Sequence, residues 1–535
     1  MTAANTSPPD PPRRRAGSTP DVVVVGGGHN GLVAAAYLAR AGQDVLLLER
    51  DDHLGGATVS ADAFGGMGAH LSRYSYLVSL LPRRIVDDLG LDLTLRRRRW
   101  SSYTPVPGRD VGLLVDDGDP AATADSFARI GAAADLDGWH ELYERVARLV
   151  AVLWPSMTEP LPRRRDVEAR VGDLSVVADV LDRPLGHLIE RHLRHDVTRG
   201  VVLTDGLIGT FADAHSADLA QNVCFLYHVM GGGTGHWDVP VGGMGAVTGA
   251  LERAAREAGA TLRVGASVRS LTGDGEVTWQ EGDEEHVVRA RHVLWAAAPA
   301  VLDEVMGVAP APVEGAQVKV NVLLSALPRL REPGLAPEAA FGGTFHVHET
   351  YTGLEAAYAA GRAGLVAAPL PCEIYCHSIT DDSILAPHLR GSGAHTLTAF
   401  ALHTPHRRLA NLGEADHAKE RDLLERAVLD SISSVLAQPL DEVIARTPDG
   451  RACIETKTTR DLQDALAMPG GHIFHGPLSW PFAADDEPLV TPAQRWGVAS
   501  AHGDVLLAGA GSRRGGGVSG LGGYHAARAI LDGRP

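Results

Sequence analysis

An α/β fold, with one parallel sheet drawn from distant parts of the chain and a second α+β unit beside it, is what the sequence predicts. Three observations carry that expectation. The all-valine run Val22–Val25 opens into a glycine turn and a small-residue helix, a second strand and glycine turn start at Asp504, and short strands lie between Thr261 and Ala296. Glycine is the compositional outlier, with 61 in 535 residues against roughly 7% in ordinary domains, and it clusters at those turns. A chain of this length buries a core without disulfide help. Its 49 Lys and Arg against 66 Asp and Glu give a net charge of −17, which argues against nucleic acid as a partner.

Taken in order, residues 1–20 carry Pro8, Pro9, Pro11, Pro12 and Arg13 to Arg15 and read as a disordered tail without the apolar core of a signal peptide. No run of 18 apolar residues follows anywhere, so no membrane-spanning helix is expected. Val22–Val25 has the continuous β-branched character of a strand buried on both faces of a parallel sheet. Gly26-Gly27-Gly28-His29-Asn30-Gly31 is a G-x-G-x-x-G, and Leu32 to Ala41 is a helix stopped by Gly42. In such a turn Gly26 makes the bend, Gly28 lets the backbone approach a pyrophosphate, and Gly31 lets helix and strand pack closely. His29 and Asn30 sit at the helix N-terminus, where an anion is favoured. Val45–Leu48 is the next strand, and it ends in Glu49, 23 positions after Gly26, where a carboxylate accepts hydrogen bonds from ribose hydroxyls.

This motif does not separate NAD from FAD, which share the adenosine half. Arg50 to Ala57 adds an R-x-x-x-x-G-G with Gly55 and Gly56, similar to the extension along FAD in glutathione-reductase-like flavoproteins. Further on, Leu251 to Ala258 reads as a helix, Thr261 to Val264 as a strand, Glu276 to Gln280 and Glu284 to Ala290 as a meander, and His292 to Ala296 as a core strand. Asp504 to Ala508 is a strand that opens into the glycine turn Gly509 to Gly520, followed by a helix from Gly523 to Leu531. Nucleotide-type turns at opposite ends of one chain imply one discontinuous domain.

On these residues the chain resembles the phytoene-desaturase-like branch of FAD-dependent oxidoreductases, and within it most the family of pyridine nucleotide-disulfide oxidoreductase domain-containing protein 2. The resemblance is carried by Gly26 to Gly42, Ser72 to Pro82 and Leu506 to Ala527, with support from Pro240 to Leu251, Lys319 to Pro328 and Gly470 to Ser479. It implies a discontinuous Rossmann-like, glutathione-reductase-like FAD-binding domain from residues 21–82, 231–300 and 488–535. Residues 83–230 and 301–487 would form an α+β substrate domain, a sheet over the flavin with a helical cap. FAD would be held by Gly26, Gly28, His29, Asn30, Gly31, Glu49, Arg50, Gly55, Gly56, Ala57, the backbone of Val268, and Gly509, Ser512, Gly517 and Val518. Many relatives place an acid in the last glycine turn to hold the ribityl chain. Gly509-Ala510-Gly511-Ser512 has none, which leaves backbone or Ser512. Without a further G-x-G-x-x-G after a strand or a redox dithiol, neither a separate NAD(P)H domain nor disulfide reduction is expected.

The implied activity is hydride transfer from an apolar or amphipathic small molecule to FAD, with oxygen, a quinone or another carrier as electron acceptor. A redox-neutral isomerase using reduced FAD, and a regulatory protein keeping FAD as a structural element, are the alternatives. Amine oxidation is less favoured, because aromatic residues amount to 5% and an aromatic cage is its frequent device, with Trp480 and Tyr524 as available contributors. Tyr524, His525 and Lys319 are the candidate groups near the flavin. No metal is expected. Cys372 and Cys376, next to His377, read as core positions of a strand, and His187, His192 and His195 spread over the faces of a helix. The scattered cysteines and missing leader point to a cytoplasmic protein. Arg96 to Arg99 and Arg163 to Arg165 read as solvated surface, with a landing patch for anionic lipid at the membrane as the alternative.

Overall fold

The computed structural model describes residues 19–533; the tail expected to be disordered falls on residues 1–18, outside the described residues. Five parallel strands form the first sheet, in the order Val505–Leu507, His292–Trp295, Val22–Val25, Val45–Leu48 and Thr261–Arg263. The valine strand is central and fully buried. Its alternate side chains enter different cores, as a period of two requires. Val22 and Val24 face the helical side. Val23 and Val25 face the antiparallel meander Ala266–Leu271, Glu276–Glu281 and Glu284–Arg289. The first helix, His29–Arg40, lies against the helices Met244–Glu257 and Leu521–Asp532. A Cβ on Gly523 would stand 1.8 Å from the Asn30 carbonyl oxygen, so glycine is what lets the first and last helices touch.

The second sheet has seven strands, in the order Ile454–Lys457, Val318–Leu324, His395–Ala401, Cys372–Tyr375, Thr344–Val347, Trp100–Pro105 and Gly112–Asp116. One face is apolar. Val318, Val320, Val322, Phe345, Cys372, Ile374, Leu397 and Ala399 pack there with Leu424, Val428 and Ile432 of the helix Glu414–Ser434. The opposite face carries Lys319, Asn321, Thr344, His346, Glu373 and Thr398, and these are buried as well. A polar sheet face shielded from solvent has no stability rationale of its own, and it is this face that turns toward the parallel sheet.

The segment 83–230 divides between two roles. Trp100–Pro105 and Gly112–Asp116 extend the edge of the seven-stranded sheet, while the helices from Pro120 to Met230 share one apolar core with the first helix. The expected face Leu142, Val146, Leu149, Val150 and Leu153 is buried within the helix Leu136–Ser156. His187, His192 and His195 do not share a helix. Leu185–His192 ends before His195, which caps Asp196–Thr204 through Nδ1. All four cysteines are buried and reduced, with Cys372 in its strand as expected. Among the described residues no helix is long and apolar enough to cross a membrane.

Candidate active site

Between the two sheets runs a cleft that opens to solvent at its mouth. One half is built from backbone. Gly26, Gly28, His29, Asn30, Glu49, Arg50, Gly56, Ala57, Val268, Gly517 and Val518 line it. The first helix has no side-chain cap at its N-terminus, so its leading N–H groups are free to serve an anion. Its approach is open: a Cβ on Gly28 would meet only the Gly55 oxygen, 4.0 Å away. Gly31 and Gly55 lie outside the lining and act from behind. A Cβ on Gly31 would sit 2.0 Å from the Gly26 oxygen, and Gly55 donates its N–H to the Gly27 carbonyl at 2.9 Å.

Glu49 closes the end of this half. Its carboxylate accepts the Gly27 N–H at 2.6 Å and the Asp51 N–H at 2.9 Å, which fixes its orientation at the cleft edge. Arg50 is exposed and donates to the Ala465 carbonyl. His29 joins the two glycine turns. Its Nε2–H donates to the Gly517 carbonyl at 3.1 Å, and its Nδ1 accepts from the Thr58 hydroxyl at 3.1 Å. Burial lowers its pKa to about 4, so the ring is neutral and able to play both parts.

The C-terminal turn contributes less than expected. Ala510, Gly517 and Val518 reach the cleft, whereas Gly509 and Ser512 do not line it. The Ser512 hydroxyl donates to the Gly509 carbonyl at 2.9 Å, so it serves the turn itself.

Side chains from the second sheet and the helical cap make the other half. Tyr76, Tyr227, Trp237, Tyr375 and Phe400 supply rings, and Arg98, Asp205, His228, Lys319, His346 and Glu373 supply ionisable groups. Lys319 Nζ donates to the carbonyls of Ser72 at 2.8 Å and Tyr74 at 2.9 Å, and burial lowers its pKa to about 7. Burial raises Asp205 to about 7 and Glu373 to about 8. Arg98 donates to the Thr344 hydroxyl and the Trp237 carbonyl.

Of the three candidate groups near the flavin, the structure brings only Lys319 to the cleft. Tyr524 and His525 are buried on the last helix, Leu521–Asp532, facing the cap, where they donate to the carbonyls of Thr158 and Met157. The arginine run Arg96 to Arg99 is corrected in the same way. Arg96, Arg97 and Arg99 are exposed beside Asp381, Asp238 and Asp116, but Arg98 turns inward to the cleft. Arg163 and Arg164 are engaged too, with the carbonyls of Ala484 and Glu487 and with Glu168. The rings of the chamber are not the two anticipated, since neither Trp480 nor Tyr524 lines it. Asp205, Glu373, His346 and Tyr76 were missed by sequence reasoning. For His346 and Glu373 a signal exists, a polar residue at every second position of an otherwise apolar strand.

An uncapped helix N-terminus, a glycine floor and a fixed carboxylate fit a dinucleotide, and the adjoining chamber leaves room for a substrate beside it, the arrangement of a dinucleotide-dependent enzyme. The family model described as FAD dependent oxidoreductase matches residues 21–112. The chain belongs to one family with the uncharacterized protein Rv0897c of Mycobacterium tuberculosis, to which it is 52% identical over 517 residues, covering 94% of this chain and 95% of that one. Pyridine nucleotide-disulfide oxidoreductase domain-containing protein 2 of Mus musculus is 28% identical, over 94% of this chain and 91% of its own.

Two solved structures share the fold. A variant of putrescine oxidase superposes with a TM-score of 0.55 at 19% identity, covering 96% of this chain and 99% of that one. Cyclohexylamine oxidase from Brevibacterium oxydans does so at 0.53 and 16%, covering 97% and 100%. FAD is the cofactor.

Proposed function

We propose that the enzyme oxidises an apolar or amphipathic small molecule by hydride transfer to FAD, within the chamber enclosed by Tyr76, Tyr227, Trp237, Tyr375 and Phe400. The observation that carries this reading is the continuity of the backbone-built cradle with that ring-lined chamber in one cleft. Bound FAD supplies the hydride acceptor. The chain's own contribution is to orient the substrate, exclude water and manage a proton. Lys319 is suited to the last task. As a neutral amine giving two N–H bonds to the Ser72 and Tyr74 carbonyls, it keeps a lone pair with which Nζ can accept the substrate's proton. A second cavity abuts the chamber and shares Arg98, Asp205, His228, Trp237, Thr344 and His346 with it as a common wall. That supports substrate entry from the side of the helical cap.

A cationic amine is the second reading, favoured by Asp205 and Glu373 among the aromatic rings. Anaerobic stopped-flow reduction of the yellow holoenzyme tests both. Bleaching by apolar alcohols or alkenes supports the first, and bleaching by amines alone supports the second. A flavin reduced by neither would overturn the assignment of this chamber as a site of hydride transfer. A product of unchanged mass formed only after prereduction would replace oxidation with isomerisation.

A further inference from the structure

In the chamber wall and just behind it lies a group of side chains to which the proposed hydride transfer assigns no role. The strand Thr344–Val347 ends at His348, which has φ +55°, a left-handed conformation that non-glycine residues rarely adopt. The turn brings Glu349 back against His346, with Glu349 Oε2 3.9 Å from His346 Nε2. Glu373, on the neighbouring strand and paired directly with His346, completes the set. The donor atoms of His346, Glu349 and Glu373 all lie within 4.8 Å of one another.

Glu349 is 0% exposed and Glu373 is 2% exposed. Both oxygens of Glu349 and Oε1 of Glu373 have no hydrogen-bond partner. The Thr204 hydroxyl stands beside Glu349 but is itself without a bond of proper geometry. Buried carboxylate oxygens are ordinarily satisfied, so three orphans converging on one imidazole call for a ligand. That imidazole is prepared for one. The Nδ1 of His346 is engaged with the Thr104 hydroxyl at 2.8 Å, which leaves Nε2 as the free donor atom, the arrangement in which a ligating histidine is held from its other nitrogen.

We propose that His346, Glu349 and Glu373 bind one divalent transition-metal ion of the zinc or manganese type. One imidazole nitrogen with two carboxylates suits such ions, while magnesium and calcium prefer oxygen throughout. Metal–ligand distances of about 2.0–2.2 Å set the donors roughly 3–3.5 Å apart, so ligation draws the carboxylates inward by about an ångström. Charge agrees. Asp205, Glu349 and Glu373 interact with one another and are offset by the Arg98 guanidinium. Burial disfavours the charged form of all three carboxyls, and a divalent ion would supply the positive charge against which the ligating pair can ionise.

Glu349 also distinguishes this ion from a substrate ammonium. It does not line the cleft, whereas His346 and Glu373 do. A substrate in the chamber reaches Glu373 but not Glu349, whereas a small ion between them would satisfy all three residues. The remaining coordination position would open onto the chamber.

The test is metal analysis of full-length holoenzyme purified without chelator and without a polyhistidine tag, with flavin content read separately from its absorbance. Expected are about one zinc or manganese per chain, a rise in Tm when Zn²⁺ or Mn²⁺ is returned to chelator-treated enzyme, and loss of the metal from Glu349→Gln with the flavin retained. Trace metal, together with no Tm response of the chelator-treated enzyme to either ion, would overturn the proposal and leave the carboxyls as a proton-sharing pair. Metal retained by both Glu349→Gln and Glu373→Gln would overturn it too, by placing the ion elsewhere. Because the readouts are metal content and Tm, failure here is distinct from failure of substrate-dependent bleaching.

Discussion

Where the cleft meets the parallel sheet its wall is backbone: glycine turns, an uncapped helix end and one carboxylate pinned by two N–H groups. Across from it, the wall is side chains from residues as far apart as Tyr76, Arg98, Asp205, Lys319, His346 and Glu373. The first half depends on a local conformation and leaves no room for a Cβ at Gly31. The second depends on long-range placement, and its ionisable groups have displaced pKa values because burial penalises their charged forms. Cofactor retention and substrate chemistry should therefore be separable by mutation.

The largest effect is expected at Gly31. Gly31→Val puts a Cβ where the Gly26 oxygen leaves 2.0 Å, and overpacking of this kind costs ~3 kcal/mol or more. The purified variant should be colourless with a sharply lowered Tm, and a fully yellow Gly31→Val protein would break the comparison. Next is Lys319→Met. Loss of a proton acceptor lowers flavin reduction by about 10²–10⁴-fold while the absorbance spectrum stays that of bound FAD. Equal loss of flavin and of rate would show that the two halves are not separable.

Glu49→Ala acts on the cradle alone. It removes the acceptor of the Gly27 and Asp51 N–H groups, bonds to a charged group worth about 1.5–3 kcal/mol. FAD binding measured by fluorescence should weaken accordingly, with the rate at saturating FAD preserved. A milder loss is expected for His29→Leu, which releases the Gly517 carbonyl and the Thr58 hydroxyl at about 1 kcal/mol each.

The last effect is a slope. The pKa of Lys319 falls from 10.5 in the unfolded chain to about 7 in the fold. Between those values the unfolded state binds more protons, so its contribution makes stability rise with pH across this window. Lys319→Met should flatten Tm against pH there, and an unchanged slope would mean that Lys319 stays charged in the fold.

The legibility of each half follows its construction. Val22–Val25, the turn to Gly31 and Glu49 were readable because the conformation and its chemistry lie within one short stretch. That the Ser512 hydroxyl bonds within its own turn, to the Gly509 carbonyl, was not legible, because a glycine-rich turn does not reveal which of its atoms face outward. Tyr524 and His525 follow the last glycine turn in sequence, yet the first half of their helix is buried on all sides, and both point away from the cleft toward Thr158 and Met157. Arg98 was hidden among four arginines that differ only in which way the strand edge turns them. Lys319 was accessible as a polar residue in an apolar strand, and His346 and Glu373 carried the same mark.

By itself the sequence determined a dinucleotide turn at each end of the chain, and hence a discontinuous FAD-binding sheet, because strand periodicity, glycine conformation and helix termini are local properties. Only the tertiary structure decided what stands opposite the cofactor. The packing of one sheet across another selects which alternate side chains share a chamber, and it sets the desolvation that makes Lys319, Asp205 and Glu373 differ from their exposed counterparts.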